Sequence, residues 1–480
     1  MSTIGAGDTH PEIVCEPTRD QLHYTQPDRT HVPSEEKIMS GSINRRRFIQ
    51  STSVSAAAAG FWLTGGVTET RAQEPANRLN VAIIGAGGRG SANVGGVAGE
   101  NIVALCDTDD RRAAAAYKRF PNVPKFKDFR VMLEKQKDIQ AVVVSTPDHC
   151  HFHASMMAIR MGKHCYTEKP LTHSIWEARQ LKEAAAKHRV ATQMGNHGTA
   201  NNDMRAGVEA IQAGAIGDVR EIHLWTNRPI WPQNIDRPAE AQPVPAGLDW
   251  DVWLGPAPQR PYHAAYVPFN WRGWWDFGTG ALGDMGCHTM NLPYMALRLG
   301  APTTVEADVE GTVHAETAPM GCTVTFEFPA RGSLPPCKLY WYERRLPAAN
   351  KLAVLGNRKP GASGCLMVGA KGTLYTANDY GANWVLLPEA NFANYQRPAP
   401  TLPRAEGRHH AEWIRACKGG AAAMSNFVDY AAGLTETILL GNVAIRVGRK
   451  FTWDSATLSA TDCPQAAQYV RREYRKGWAI

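Results

Sequence analysis

Three short segments hold residue types at spacings that could do chemistry. The first is Gly85-x-Gly87-x-x-Gly90, directly after the β-branched run 79–84. In such a pattern the first glycine makes a tight turn and the second lets backbone approach a pyrophosphate. The third allows a helix to pack closely on the strand. The phosphates would sit on that helix's N-terminus, where free N–H groups and the dipole favour anions. Asp107 closes the next apolar run, where an acid would accept ribose hydroxyls and repel a 2′-phosphate. NAD is therefore expected, while Arg111 and Arg112 nearby leave room for NADP. The second segment is Glu168-Lys169-Pro170. Strand C-termini in open α/β sheets face the ligand crevice, and a lysine there can hydrogen-bond a substrate oxygen and hold its charge. Alone, the tripeptide fits a surface lysine before a proline turn equally well. The third is Gly283-Asp284-Met285-Gly286-Cys287-His288. On a helix, Asp284 and His288 share one face. A carboxylate beside an imidazole fixes its tautomer and raises its basicity, making His288 a candidate general base. A capping aspartate with a core histidine would read the same way.

Taken together, the glycine motif at 85–90, Thr146-Pro147-Asp148-His149, Glu168-Lys169-Pro170 and the Gly-Asp-x-Gly-x-His at 283–288 resemble the Gfo/Idh/MocA family of sugar oxidoreductases. The resemblance runs over about residues 78–450. It implies a Rossmann domain followed by an α+β domain with an open, mostly antiparallel sheet, which commonly packs into homo-dimers or homo-tetramers. It implies that Lys169 contacts the reacting hydroxyl, that His288 accepts its proton and that Asp284 orients His288. Thr146, Pro147, His151 and Glu168 would join Gly85, Gly87, Gly90 and Asp107 around the cofactor.

These residues need a frame. Strand-like and helical runs alternate from 79 to 194, the rhythm of a parallel sheet wrapped on both faces. A Rossmann domain is expected at 78–197 and a substrate and oligomerisation domain at 198–450, with 451–480 as a tail. In the second domain, consecutive strands at 303–314, 320–328, 336–342, 365–368 and 371–376 imply an antiparallel sheet. Residues 227–275 hold nine prolines and six tryptophans. Such an insertion is not expected to build a core of its own, and at least one indole is expected to stack on a sugar face. His149, His151 and His153 suggest a metal site. At a helix start, however, alternate residues point about 200° apart, so no metal is assigned.

Composition narrows the function classes. The 480 residues are 44% apolar and 20% charged, ordinary for a globular protein. A net charge of +7 with no basic block argues against nucleic-acid binding. The ten cysteines form no C-x-x-C pair, and no apolar run is long enough to span a membrane. Arg45, Arg46 and Arg47, a weakly apolar stretch to Val67 and Ala72 at the −1 position of a cleavage site read as a twin-arginine signal over 39–72. Residues 1–38 are expected to be a non-native extension before a start at Met39. The twin-arginine export machinery would then be a partner and the periplasm the location. The sequence thus points to an exported NAD- or NADP-dependent oxidoreductase acting on a sugar or glycoside hydroxyl, with the cofactor tightly bound. A redox-neutral glycosidase or lyase cycle is the alternative on the same fold. A non-catalytic sugar-binding protein is the remaining one.

Overall fold

The computed structural model describes residues 77–405 and 408–480. The expected extension 1–38 and export signal 39–72 lie outside them. No helix of the described residues is long and apolar enough to cross a membrane.

The first sheet has six parallel strands: β1 (Asn80–Ile84), β2 (Asn101–Cys106), β3 (Lys125–Phe126), β4 (Ala141–Val144), β5 (His164–Thr167) and β6 (Thr192–Met194), in the order 3-2-1-4-5-6. Successive side chains point to opposite faces of a strand. Ala82 and Ile84 therefore enter one core, while Val81 and Ile83 enter another on the reverse face. Burial on both faces is why these strands read as continuous apolar runs. β3 and the helix Phe129–Lys135 after it were not expected. A two-residue strand carries no period to detect.

The second sheet has nine strands: β7 (Val219–Thr226), β8 (Thr304–Val309), β9 (Cys322–Phe328), β10 (Cys337–Glu343), β11 (Gly364–Gly369), β12 (Thr373–Thr376), β13 (Val385–Leu387), β14 (Phe451–Asp454) and β15 (Ser459–Ala460). Their order is 13-12-11-7-10-9-8-14-15, with only the β7–β10 pair parallel. β9 alternates cleanly: Val324 and Phe326 are buried, whereas Thr323 and Thr325 are half-buried. The buried face packs on the helices Gly280–Thr289 and Ala432–Val447. Two glycines permit that approach. A Cβ on Gly441 would lie 2.4 Å from Leu282 Cδ2, and one on Gly286 would lie 3.1 Å from Ile438.

Three boundaries differ from expectation. The 451–480 segment is no tail: β14 and β15 extend the large sheet, and Trp478 is buried. The helix His409–Cys417 falls in the second half of the chain but packs on the parallel sheet. There Trp413 joins its core and His410 stacks on Tyr166 at 4.7 Å. The Trp-rich insertion does build its own core, from Trp250, Trp253, Tyr262, Tyr266, Trp271, Trp274 and Phe277. Trp250 stacks on Trp253 at 4.8 Å and donates its indole N–H to the Arg260 carbonyl at 2.9 Å. Indoles can supply a core without regular structure because each buries a large area and satisfies its one donor locally. Trp274→Ala, at a fully buried position, is expected to cost about 3–5 kcal/mol. Urea unfolding measures that cost.

Candidate active site

A cavity of about 550 Å³ runs from the glycine turn to His288. At one end the helix Arg89–Gly96 starts at Gly88 with no side-chain cap and no acid in its first turn, so its N-terminus is free to face an anion. A Cβ on Gly90 would lie 1.8 Å from the Gly85 carbonyl oxygen, so only glycine allows the helix to cross the turn this closely. Asp107 Oδ2 accepts the backbone N–H groups of Ala86 (2.9 Å) and Gly87 (3.0 Å), and Oδ1 accepts that of Asp109 (2.9 Å). Burial pushes this carboxyl up, against those three donors. Asp107 thus holds the turn in shape, and Oδ1 keeps a lone pair for a hydroxyl. Arg111 is tied to Asp109 at 2.7 Å, while Arg112 lines the cavity beside the turn.

Thr146 and Pro147 line the middle of the cavity, and the Thr146 hydroxyl is buried without a partner. A buried orphan hydroxyl in a cavity wall marks a place for a ligand. With the uncapped helix and the shaped turn, these residues fit a dinucleotide. Glu168 also lines the wall and accepts Arg89 Nε and Asn93 Nδ2, both at 2.9 Å. Burial would raise this carboxyl, but Arg89 and Asn93 hold it below the usual range. His151 sits differently from expectation. It is absent from the cavity wall, and its ring nitrogens meet the Pro170 and Thr146 carbonyls, each at 2.8 Å. It braces two wall segments from behind. His149 and His153 lie on the same helix, Asp148–Arg160, and meet other carbonyls: His149 those of Trp253 and Phe277, His153 that of Trp478.

At the far end, Lys169 follows β5 and reaches into the cavity. Its ammonium donates to Asp284 Oδ1 (2.7 Å) and to the Asp284 carbonyl (2.9 Å). Arg272 Nε approaches the same Oδ1 at 3.2 Å. Burial would lower the Lys169 ammonium, but the Asp284 charge outweighs it and raises it above its ordinary value. Burial would likewise raise Asp284, yet Lys169 and Arg272 bring it down to about 2. Asp284 therefore serves Lys169, and no hydrogen bond joins it to His288 among the described residues. The shared helix face predicted their neighbourhood; the competing cation decided the partner. His288 is buried with Nδ1 unpartnered. Burial, then Lys169 and His197, pull it well below its usual value, leaving a neutral imidazole with a free nitrogen beside the cavity.

Sequence reasoning missed several lining residues. His197 follows β6 as Lys169 follows β5, so the strand-end rule could have found it. Tyr380 and Arg272 had no spacing signal. Arg272 lies over Trp271 (4.3 Å) and Phe269 (4.5 Å), and both line the cavity with Trp231 and Trp253. Asp148 accepts the Thr279 hydroxyl at 2.7 Å from within the wall.

Residues 79–196 match the model of the Gfo/Idh/MocA oxidoreductase family's NAD-binding Rossmann fold, and 227–327 match that family's C-terminal alpha/beta domain. A glycosyl hydrolase family 109 protein of Solibacter usitatus is 28% identical over 37% of this chain and 44% of its own. An inositol 2-dehydrogenase of Saccharopolyspora erythraea is 31% identical over 30% of this chain and 44% of its own. The chain thus spans less than half the length of these curated relatives. The WlbA dehydrogenase of Bordetella pertussis, solved with NADH and UDP-GlcNAcA, superposes with a TM-score of 0.55. It is 16% identical, over 78% of this chain and 99% of its own, a likeness of fold.

The charge states set a pH expectation. To accept a proton His288 would have to be neutral, and burial makes it lose its charge well below 6.5. The ammonium of Lys169, raised above 10.5, stays protonated. A reaction that uses His288 as its proton acceptor should therefore hold a level rate at saturating substrate from pH 8 down to 6.5; a falling limb centred near 6.5 would contradict the burial of this imidazole.

Proposed function

With segments of both its domains matched to the Gfo/Idh/MocA oxidoreductase family, we propose that this chain is an exported NAD-dependent enzyme that oxidises a sugar or glycoside hydroxyl and keeps its cofactor. The observation that carries this reading is the convergence of Lys169, Asp284 and His288 at one end of a cavity whose other end is the glycine turn. A bound nicotinamide supplies the hydride acceptor. The protein's residues do the rest. Lys169 has a third N–H to give a substrate oxygen after two go to Asp284. Its charge, held by Asp284, favours developing alkoxide. Neutral His288 takes the hydroxyl proton, a role worth roughly 10²–10⁴-fold. Trp231, Trp271 and Phe269 offer faces for the apolar side of a sugar ring.

Retention of the cofactor is supported by how the insertion meets the Rossmann domain. Asp109 bridges Leu248. Asp110 N–H donates to the Gly247 carbonyl (3.1 Å), Asp249 N–H to the Thr108 carbonyl (2.8 Å) and Lys127 Nζ to the Gly247 carbonyl (2.6 Å). These bonds strap the insertion to the loop after β2, beside Asp107, where the adenosine half would lie. An enzyme in the periplasm, without a pool of free nicotinamide, needs such retention. NAD is the expected form; Arg112, which lines the cavity beside the turn, leaves NADP as an alternative. A second reading, a redox-neutral cycle that cleaves a glycosidic bond, is favoured by the glycosyl hydrolase family 109 relative. Export from a signal at 39–72 and assembly into a homo-dimer or homo-tetramer complete the proposal.

Purified protein should release close to one NAD per chain on denaturation, read by mass spectrometry, and a sugar panel should reduce it in place. Lys169→Ala and His288→Ala should keep the cofactor and lose most activity. Lys127→Ala should speed cofactor loss on dilution severalfold while the first turnover stays normal. Protein that carries no dinucleotide and works fully without one would defeat the proposal.

A further inference from the structure

The residues assigned to hydroxyl oxidation stand deep in the cavity, where Trp231, Trp271 and His288 are all buried. The same cavity is lined by Ile230, Phe269 and Tyr380, which are 65%, 42% and 37% exposed. A side chain that lines a cavity and still stands in water marks its mouth. Trp231 meets Phe269 edge to face at 5.8 Å, so the aromatic wall runs on from the depth to the rim. Oxidation of one hydroxyl makes no use of Ile230.

Polar groups share this rim. Arg228 and Ile230 lie on the segment after β7, Asp379 and Tyr380 on the loop after β12, and all four line the cavity. Burial, then the Asp379 charge, push the Tyr380 phenol up, and Lys169, Arg89 and Arg228 pull against them, so Asp379 and Arg228 both stand near this ring. The loop is held in place. Asn378 Oδ1 accepts the N–H groups of Tyr380 (2.9 Å) and Ala382 (3.3 Å), and Asn378 Nδ2 donates to Thr376 Oγ1 (3.0 Å). Just beyond, Trp384 Nε1 donates to the Asp203 carbonyl at 2.7 Å. On this fixed loop, Asp379 Oδ1 is buried with no hydrogen-bond partner among the described residues. A carboxylate oxygen only accepts, so whatever completes it must bring O–H or N–H donors. Leaving it unmet is costly, and such an orphan in a cavity wall calls for a ligand.

We propose that Asp379, Arg228 and Ile230 form a subsite for a second sugar ring, so that the substrate is a disaccharide or longer saccharide, oxidised on the ring that enters the cavity. The subsite rests on the hydroxyl-oxidation reading above. A sugar ring offers what the rim lacks. It brings hydroxyl donors for Asp379 Oδ1 and oxygens for the Arg228 guanidinium. Its C–H face suits Ile230 and the outer side of Phe269. Other ligands leave part of the rim unmet. A free monosaccharide at Lys169 and His288 leaves Ile230 in water. An apolar aglycone covers Ile230 but gives Asp379 no donor. An anionic group suits Arg228 but is repelled by Asp379.

The test uses the holoenzyme with added NAD, with nicotinamide reduction followed by absorbance over a range of sugar concentrations. The probes are glucose, galactose and N-acetylglucosamine, their methyl and p-nitrophenyl glycosides, and the disaccharides maltose, cellobiose, lactose and N,N′-diacetylchitobiose. Wild type should take at least one disaccharide with a kcat/KM about 10-fold or more above those of the matching monosaccharide, methyl glycoside and p-nitrophenyl glycoside. Asp379→Ala should erase that preference, lowering kcat/KM about 10-fold more for the disaccharide than for the monosaccharide, with the loss in KM. Ile230→Ala should act in the same sense, severalfold. Monosaccharide oxidation by the two variants shows that they fold. A wild type that favours no disaccharide, or takes a p-nitrophenyl glycoside equally well, overturns the second-ring subsite and leaves the oxidoreductase standing. A preference that survives in both variants, or variants that lose monosaccharide and disaccharide alike, overturns its placement at this rim. No nicotinamide reduction by wild type with any probe overturns the oxidation reading, and the subsite with it.

Discussion

Lys169 ends a strand of the parallel sheet, and Asp284 belongs to a helix packed on the antiparallel one. Their contact at 2.7 Å joins the two layers at the point where a substrate oxygen would bind. Both groups are largely shielded from water, so each is tolerable only because the other is there. Removing one partner of such a pair leaves an uncompensated charge, at a cost of about 3–5 kcal/mol. Arg272 adds a second cation from the insertion. A single carboxylate thereby ties the Rossmann domain, the second domain and the Trp-rich segment to one spot.

The rest of the site follows from that constraint. Asp284 is placed by a helix whose close approach to Ala432–Val447 is eased by Gly286 and Gly441, which lack side chains. The same helix carries His288 one turn further on, into a buried position without a hydrogen-bond partner for Nδ1. The insertion presents Trp231, Phe269 and Trp271 to the cavity, the last of them from its aromatic core. The strap of backbone bonds to Thr108 and Asp110 carries the insertion across to the cofactor end. Cofactor and substrate halves are therefore covered by one piece of chain.

Much of this was legible in the residues. The alternating runs of 79–194 gave a parallel sheet because doubly buried strands need no polar face. The glycine turn, Asp107, Lys169, Asp284 and His288 all reach the cavity wall, since strand ends and helix faces follow from spacing alone. Other features depend on contacts that spacing does not encode. Asp284 chose Lys169, more than a hundred residues away, over the histidine on its own helix face. His151 was drawn to two carbonyls behind the wall. The insertion built a core from indoles and tyrosines with no period to read. Tyr380 reached the site through a loop after β12, and nothing local in the sequence marked it.

The central claim is that Asp284 acts by holding the Lys169 charge at the substrate oxygen, not by orienting His288. Single-turnover reduction of bound nicotinamide by a saturating sugar, followed across pH in Asp284→Asn, tests it most directly. With the carboxylate gone, burial pulls the Lys169 ammonium down. The account predicts retained cofactor, a rate lowered about 10²-fold or more and a new alkaline limb below the wild-type one as Lys169 loses its proton. A variant with wild-type rate and an unshifted alkaline side, or one changed only on the acid side where His288 titrates, would contradict it.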